Sequence, residues 1–315
     1  VSEQDEFDCV IVGAGPAGLS AALNLARSRS SVLIADSNRP RNAATLKSHG
    51  FITRDGIPPI ELRGLARAEL ANYPEVEYLP RAVVSGVARD RDGSHPFTVE
   101  IARGTRSRVV TSRTVLLATG LREVFPDIPS LRGFYGMSVF SCVACDGYER
   151  SDQRLALIGE TSDLHDRALL IARWSASLTV FTNAVAVLTA SEEMDLVSLG
   201  IRVERRPIGD LEGTRGAISA VRLADGDRIP VTGGFIRPVW VSNLDFIRRA
   251  DRDALTVDRF DRLSTDRDGR TSIEGLYASG DVASPGPQQL IVAAGAGART
   301  AAIIVQDLIG VSTSH

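Results

Sequence analysis

Six residues, Gly13-Ala14-Gly15-Pro16-Ala17-Gly18, constrain this chain more than any other segment. They lie between an apolar run, Asp8 to Val12, and a stretch from Ala17 to Arg27 whose Leu19, Ala22, Leu23 and Ala26 share one helical face. A second apolar run, Val32 to Ala35, ends in Asp36. Strand, glycine turn, helix, strand and a following acidic residue make up the unit that binds a dinucleotide. Gly13 permits the tight turn, Gly15 lets the backbone approach a pyrophosphate, and Gly18 lets the helix lie close to the strand. The helix N-terminus offers N–H groups and partial positive charge to the diphosphate. Asp36 can accept a hydrogen bond from a ribose hydroxyl, and Ser37 and Arg41 follow on the same loop.

A second segment, Gly275 to Val282, reads as a strand entering a Gly280-Asp281 turn. Beyond Pro287 a helix rich in small residues is expected to begin near Gln289. An aspartate there can bind the hydroxyls of a flavin, and the helix start can face the flavin carbonyl that gains charge on reduction. Together the two segments specify FAD rather than NAD as the bound dinucleotide. Between them Thr114 to Gly120 reads as a further strand, and Arg154 to Gly159 restarts a strand-turn-helix pattern. Strands are expected near Leu178 to Thr182, Ile201 to Arg205 and Ala217 to Leu223. The fold class is therefore α/β with two Rossmann-like βαβ domains. Residues 1–117 and 245–315 form the discontinuous FAD domain, and residues 118–244 form an inserted, degenerate nucleotide-binding domain.

Composition narrows the function classes. The 315 residues carry 36 basic and 39 acidic side chains, so no positive excess argues for nucleic acid or an anionic membrane. Apolar runs break before the ~20 residues of a membrane span. Four acidic residues in the first eight positions argue against a signal peptide. With three cysteines, these features lead to the expectation of a soluble cytoplasmic protein.

Two of those cysteines stand as Cys142-Val143-Ala144-Cys145, followed by Asp146. C-x-x-C spacing closes a small ring that can cycle between dithiol and disulfide, and Asp146 is placed to move a proton to or from a departing sulfur. Zinc needs about four ligands, and His49, His95, His165 and His315 show no ligand spacing, so no metal is expected. Cys9, in the first strand, reads as a small buried hydrophobe.

The Gly13–Gly18 turn, Ala118-Thr119-Gly120, the CxxC-Asp of Cys142 to Asp146, and Gly280-Asp281 followed by Gln288-Gln289 occur in an order that resembles the low-molecular-weight thioredoxin reductases. The resemblance covers essentially the whole chain. It implies a homodimer and CxxC chemistry beside the isoalloxazine. It further implies that Cys145 faces the flavin, that Cys142 meets the substrate sulfur, and that Asp281 with the backbone around Gln289 and Leu290 holds the flavin.

Two departures from the reductases matter. The second glycine motif reads Gly159-Glu160-Thr161-Ser162-Asp163-Leu164, with Thr161 and Leu164 at small-residue positions and two acidic residues where an anion would bind. Leu178 to Gly200 holds no arginine or lysine to clamp the 2′-phosphate of NADPH. Loss of productive NADPH binding is therefore expected. The segment from Arg41 to Gly56, with Gln288-Gln289 where reductases have Arg-Gln, is similar to the dithiol oxidases of disulfide natural products such as gliotoxin and holomycin. In that family a small dithiol reduces the CxxC, the cysteines reduce FAD, and O₂ reoxidises it. Val143-Ala144 departs from the bulkier residues frequent there. His49 is read either as a base beside the flavin or as a residue that orders its loop. Three functions stay open: a dithiol oxidase acting on a small molecule, a thioredoxin reductase-like enzyme fed by NAD(P)H or ferredoxin, and a non-catalytic flavin redox sensor.

Overall fold

The computed structural model describes residues 5–90, 94–258, 260, 262–284 and 286–312; the first four residues and His315 lie outside them. The chain divides into two compact units. Unit 1 comprises Val1–Arg41, Gly50–Arg122 and Trp240–His315, and unit 2 comprises Asn42–His49 and Glu123–Val239.

Unit 1 begins with β1 (Glu6–Val12), α1 (Pro16–Arg27) and β2 (Val32–Asp36). It continues through α2 (Pro59–Leu70), β3 (Val76–Pro80), β4 (Val83–Arg89), β5 (Phe97–Arg103) and β6 (Arg106–Leu117). The expected strand at Thr114 to Gly120 is thus the end of a longer one. Its first half pairs antiparallel with β5, and its second half runs parallel to β1, with Val12 opposite Leu117. Strands β4 and β5 are not among those expected from the sequence, although Phe97-Thr98-Val99-Glu100-Ile101 alternates apolar and polar residues as a half-covered strand does. From Cys9 onward the residues of β1 alternate by face. Val10 and Val12 join a core with Phe97, Val115 and Leu276, whereas Cys9 and Ile11 join one with Leu25, Ile34 and Tyr277.

Unit 2 follows after β7 (Arg122–Val124). It runs through α3 (Leu131–Phe134), β8 (Val139–Phe140), α4 (Val143–Asp146), β9 (Leu155–Gly159), α5 (Leu164–Ile171), β10 (Leu178–Phe181), α6 (Ala190–Ser198) and β11 (Arg202–Glu204). Then come β12 (Ile208–Thr214), β13 (Ala217–Leu223), β14 (Arg228–Pro230) and β15 (Gly233–Arg237). One parallel sheet has the order β11-β10-β9-β15-β8, and β12-β13-β14 forms a separate antiparallel sheet. Every residue of β9 and β15 is buried, as a strand covered on both faces requires.

The chain returns to unit 1 through β16 (Val239–Val241), α7 (Arg249–Arg252), β17 (Leu263–Ser264), β18 (Leu276–Ala278), β19 (Ala283–Ser284) and α8 (Leu290–Ile309). Strand β18 pairs parallel with the end of β6 and completes a seven-stranded sheet. The unit boundaries fall at 122/123 and 239/240, a few residues from the expected 117/118 and 244/245. Asn42–His49 groups with unit 2 although its neighbours in sequence do not. The cause is a close backbone contact: a Cβ on Gly136 would lie 2.2 Å from the Ala44 carbonyl oxygen.

Among the described residues, α8 is the one helix long and apolar enough to cross a membrane, despite the earlier expectation that no run reaches that length. Arg299 and Asp307 interrupt it, and Ala293, Ala301 and Ile304 are buried in the same core as α1. A Cβ on Gly297 would stand 2.1 Å from the Ala17 carbonyl oxygen, so the two helices touch through backbone. Gly297→Leu is expected to force them apart and lower stability by at least about 1–3 kcal/mol, the range for overpacked cores, as read from urea unfolding. An unchanged midpoint would show that the close approach is not required.

Candidate active site

The glycine turn of unit 1 forms a cradle at the C-terminal ends of β1, β6 and β18. Gly13 has φ +106°, and a Cβ there would lie 2.5 Å from the Ala118 carbonyl oxygen. One on Gly18 would lie 2.0 Å from the Gly13 carbonyl oxygen. Gly15 is different: its φ of −76° suits any residue, and nothing lies within 4 Å of where its Cβ would be. Ala14 and Ala17 are buried behind the turn, and α1 opens at Pro16 with no side chain capping its N–H groups. The open face of Gly15 is therefore where a diphosphate would meet the helix start.

Two hydroxyls test whether a cofactor fits this cradle. Thr119 Oγ1, just past β6, and Ser279 Oγ, just past β18, are buried without a hydrogen-bond partner. Burying an unpaired polar group costs about 1–3 kcal/mol, which a polar ligand over the strand ends would relieve. Gly120 and Gly280, with φ +64° and +77°, turn the chain away beside these hydroxyls. Asp281 follows, with Arg41 Nη2 donating to Oδ2 at 2.6 Å. Burial raises the Asp281 carboxyl above its ordinary value, against the opposing charges of Arg41 and Arg262. Arg41 also donates to Gln288 Oε1 at 3.0 Å and lies over the Trp240 ring. Gln289 takes the N-cap position of α8, and Leu290 opens the helix.

Asp36 sits at the end of β2 as the pattern requires, and its carboxylate already has partners. Arg63 donates to Oδ2 at 2.7 Å, the Tyr78 hydroxyl donates to the same oxygen, and the Asn38 N–H donates to Oδ1 at 2.7 Å. Oδ1, with one bond, is the oxygen with capacity left for a ribose hydroxyl. Ser37 beside it is exposed.

In unit 2 Cys142 and Cys145 are joined by a disulfide. Cys142 caps the single turn α4, and Asp146 closes it, its N–H donating to the Cys142 carbonyl at 3.1 Å. A Cβ on the next residue, Gly147, would lie 2.5 Å from the Val143 carbonyl oxygen and 3.0 Å from the Trp174 ring, so the turn is locked from behind. Burial pushes the Asp146 carboxyl up to about 7; Glu149 adds to the rise, and His49 and Arg150 oppose it. A carboxyl at that value both takes and gives a proton near neutral pH. His49 Nδ1 lies 3.6 Å from Glu149 Oε1. The structure thus brings His49 together with Asp146 and Glu149, two acidic groups of the CxxC segment.

The second glycine motif no longer makes a cradle. A Cβ on Gly159 would lie 2.7 Å from Leu164 Cδ2, and Leu164 is fully buried. Helix α5 begins at Leu164 itself, two residues later than the matching start of α1 at Pro16. Asp163, at its N-cap, accepts from Thr161 Oγ1 at 2.6 Å, Arg167 Nε at 2.8 Å and Arg237 Nε at 2.9 Å. Burial would raise this carboxyl, but those bonds and charges outweigh it and hold it at about 2. The expectation that Asp163 simply repels an anion is corrected here. Its charge is neutralised inside the unit, and the two arginines that could have met a phosphate are occupied. Glu160 accepts from Asn183 at 2.6 Å. Arg205 and Arg206, after β11, pair with Glu193, Glu204, Asp225 and Asp227.

A family model described as pyridine nucleotide-disulphide oxidoreductase matches residues 7–297. The chain belongs to this family. A putative thioredoxin reductase from Bacillus anthracis is 35% identical, with a TM-score of 0.87 over 96% of this chain and 99% of that one. The structure of HlmI is 31% identical, with a TM-score of 0.89 over 98% and 95%. A thioredoxin reductase, tcpT, from Claviceps purpurea is 31% identical over 73% of this chain and 72% of its own length. A probable thioredoxin reductase from Arthroderma benhamiae is 29% identical over 57% of this chain, and the match spans 44% of that relative. The chain is thioredoxin reductase-like, and the family implies FAD.

Several residues that shape the site escape a reading of sequence: Arg63 and Tyr78 on Asp36, Ser279 in the cradle, Arg237 on Asp163, and Glu149 beside His49. Four of these act across distances that no local spacing encodes. Ser279 could have been read, because it directly precedes the Gly280-Asp281 turn.

Two outcomes follow. Gly15→Leu, free of strain in the turn, is expected to leave the unfolding midpoint of flavin-free protein unchanged while abolishing flavin retention; recovery of fully flavinylated variant would refute the cradle. For Asp146 the sign is set by a native value of about 7 against an ordinary 3.8. Between these values the folded state holds a proton that the unfolded state has lost, so stability falls as pH rises through the window and levels off above it. Asp146→Asn does not titrate. Its stability advantage over wild type should grow from near zero at pH 4 to on the order of 2–4 kcal/mol at pH 8, measured by urea unfolding of the oxidised protein. A pH-independent difference would contradict the assignment.

Proposed function

We propose that this chain is a flavin-dependent oxidase that converts a small-molecule dithiol into a disulfide, with O₂ as final acceptor. What carries the reading is the contrast within unit 2. The CxxC and its carboxyl are intact, whereas the nucleotide motif is closed by Leu164 and by the Asp163–Arg167–Arg237 cluster. The similarity of Arg41 to Gly56 to the dithiol oxidases supports the same conclusion.

A substrate thiolate attacks Cys142 Sγ, the Cys142–Cys145 bond breaks, and the electron pair leaves on Cys145. Asp146 takes the proton of the second substrate thiol. That sulfur then attacks the substrate sulfur bound to Cys142, closing the product disulfide and releasing Cys142 as a thiolate. The assignment of Cys142 to substrate and Cys145 to the flavin follows the family order. FAD, held by the Gly13–Gly18 turn, Thr119, Ser279 and Asp281, supplies a two-electron carrier from the cysteine pair to O₂. The balance is one dithiol and one O₂ giving one disulfide and one H₂O₂. A homodimer is carried over from the resemblance, and a cytoplasmic location from the composition and the cysteine count.

Relatives named thioredoxin reductase favour a second reading, a disulfide reductase fed by NAD(P)H or ferredoxin. Stopped-flow measurement without oxygen separates the two. Dithiothreitol should bleach the flavin band, and millimolar NADPH should not exceed background. In air, dithiol should drive oxygen uptake with matching peroxide, and Cys142→Ser or Cys145→Ser should abolish it. Rapid stoichiometric bleaching by NADPH would overturn the oxidase in favour of the reductase.

A further inference from the structure

Oxidation of a dithiol releases two protons at a half-buried disulfide, and the segment around α4 offers them a way out. Three groups converge there from two parts of unit 2. Asp146, on the turn that carries both cysteines, is half-buried. His49, on the segment Asn42–His49 that joins this unit, lies within electrostatic reach of Asp146 and has a side chain 17% exposed. Glu149, 3.6 Å from His49 Nδ1, is 39% exposed at its side chain. Asp146 and His49 are half-buried and Glu149 is exposed, so the group on the far side of His49 reaches solvent. The segment that carries His49 meets the rest of unit 2 through backbone at Ala44, where a Cβ on Gly136 would stand only 2.2 Å from the carbonyl oxygen.

We propose that His49 and Glu149 relay protons between Asp146 and solvent, so that His49 sets how fast the CxxC can be reduced again and again. The inference rests on the dithiol-oxidising reading of the CxxC. In the half-reaction, the S–H bonds of the substrate break and its two electrons pass to the Cys142–Cys145 pair. Each proton passes to Asp146, from there to one nitrogen of His49, and out from the other nitrogen by way of Glu149 to water. The enzyme disulfide is the oxidant, so the half-reaction needs no further acceptor. An imidazole suits the position because its two nitrogens accept on one side while donating on the other. The charged groups that face Asp146 are His49 from the Asn42–His49 segment and Glu149 and Arg150 from the turn after α4.

Both residues act through Asp146, so the test must move a quantity that a structural role would not. The flavinylated protein is mixed anaerobically with dithiothreitol across pH 5.5–9, and flavin bleaching is followed at low and high concentrations of added imidazole. His49→Gln should lower the rate about 10- to 100-fold, within the usual range for proton transfer catalysis, while flavin content stays unchanged. Added imidazole should restore much of the loss. Glu149→Gln should slow the rate by a smaller factor. His165→Gln, at a histidine of the same unit that pairs with Asp166 and Asp195, should match wild type in rate and imidazole response. A His49→Gln variant with the wild-type rate and pH profile overturns the relay, as does a slow variant that imidazole does not rescue. A wild-type protein that dithiothreitol fails to reduce overturns the dithiol-oxidising reading itself, and the relay with it.

Discussion

Backbone meets backbone at the first turn of α1, and the cofactor cradle depends on that contact. Gly18 comes from the helix itself, Gly280 from the turn after β18, and Gly297 from α8. Built Cβ atoms would stand 2.0 Å from the Gly13 carbonyl oxygen, 2.9 Å from Ala17 Cβ and 2.1 Å from the Ala17 carbonyl oxygen, respectively. Segments from the two ends of the chain thus fix one helix start against one strand end. Because the contact uses no side chain larger than the Ala17 methyl, it leaves the N–H groups of α1 uncapped and the face of Gly15 open. A larger side chain at any of these glycines would lift the helix and fill the space a diphosphate needs.

Unit 2 shows the consequence of changing that contact. It repeats the strand-turn-helix order, yet Leu164 stands where unit 1 has Gly18. The leucine buries itself against Gly159, and the helix loses its first two residues. The vacated helix start is taken by Asp163 with Arg167 and Arg237. Cationic side chains at the end of β15 and along α5 remain, but their partner is now part of the protein. An ion pair this close tolerates no competing phosphate unless Asp163 moves away, which would leave Arg237, only 9% exposed, without its counter-ion.

Legibility in the sequence follows from how local each cause is. The Gly13–Gly18 turn, the CxxC and the Gly280-Asp281 turn are each specified within a few residues, and each appears in the fold where its pattern requires. Leu164 and Thr161 were also legible, because a fingerprint names the positions that must be small. What lay beyond reach was the destination of charge. Asp163 read as an uncompensated negative group, and its neutralisation depends on Arg237, 74 positions away across the β9–β15 pair. Asp36 read as a free ribose acceptor, and Arg63 from α2 and Tyr78 from β3 reach it only through the packed fold. His49 was identified as chemically interesting without its surroundings. Its grouping with unit 2 depends on Gly136, and nothing near position 49 reports that contact.

The direction of electron flow is not decided at the cysteines. A reductase must protonate a leaving sulfur on its substrate, and an oxidase must remove protons from entering thiols. A carboxyl at about 7 serves both, since near neutral pH the two protonation states are comparably populated. Thiol–disulfide exchange is likewise reversible, and the same sulfurs pass electrons either way. Direction must therefore be set by which donor can reach the flavin. In a family whose reductant is a pyridine nucleotide, the group that decides is the one that admits or excludes that nucleotide, and here it is the helix start after β9. On the oxidase reading proposed above, Leu164 and the Asp163 cluster would bear on the chemistry of Cys142 and Cys145 by removing a competing electron donor, with no change to either sulfur.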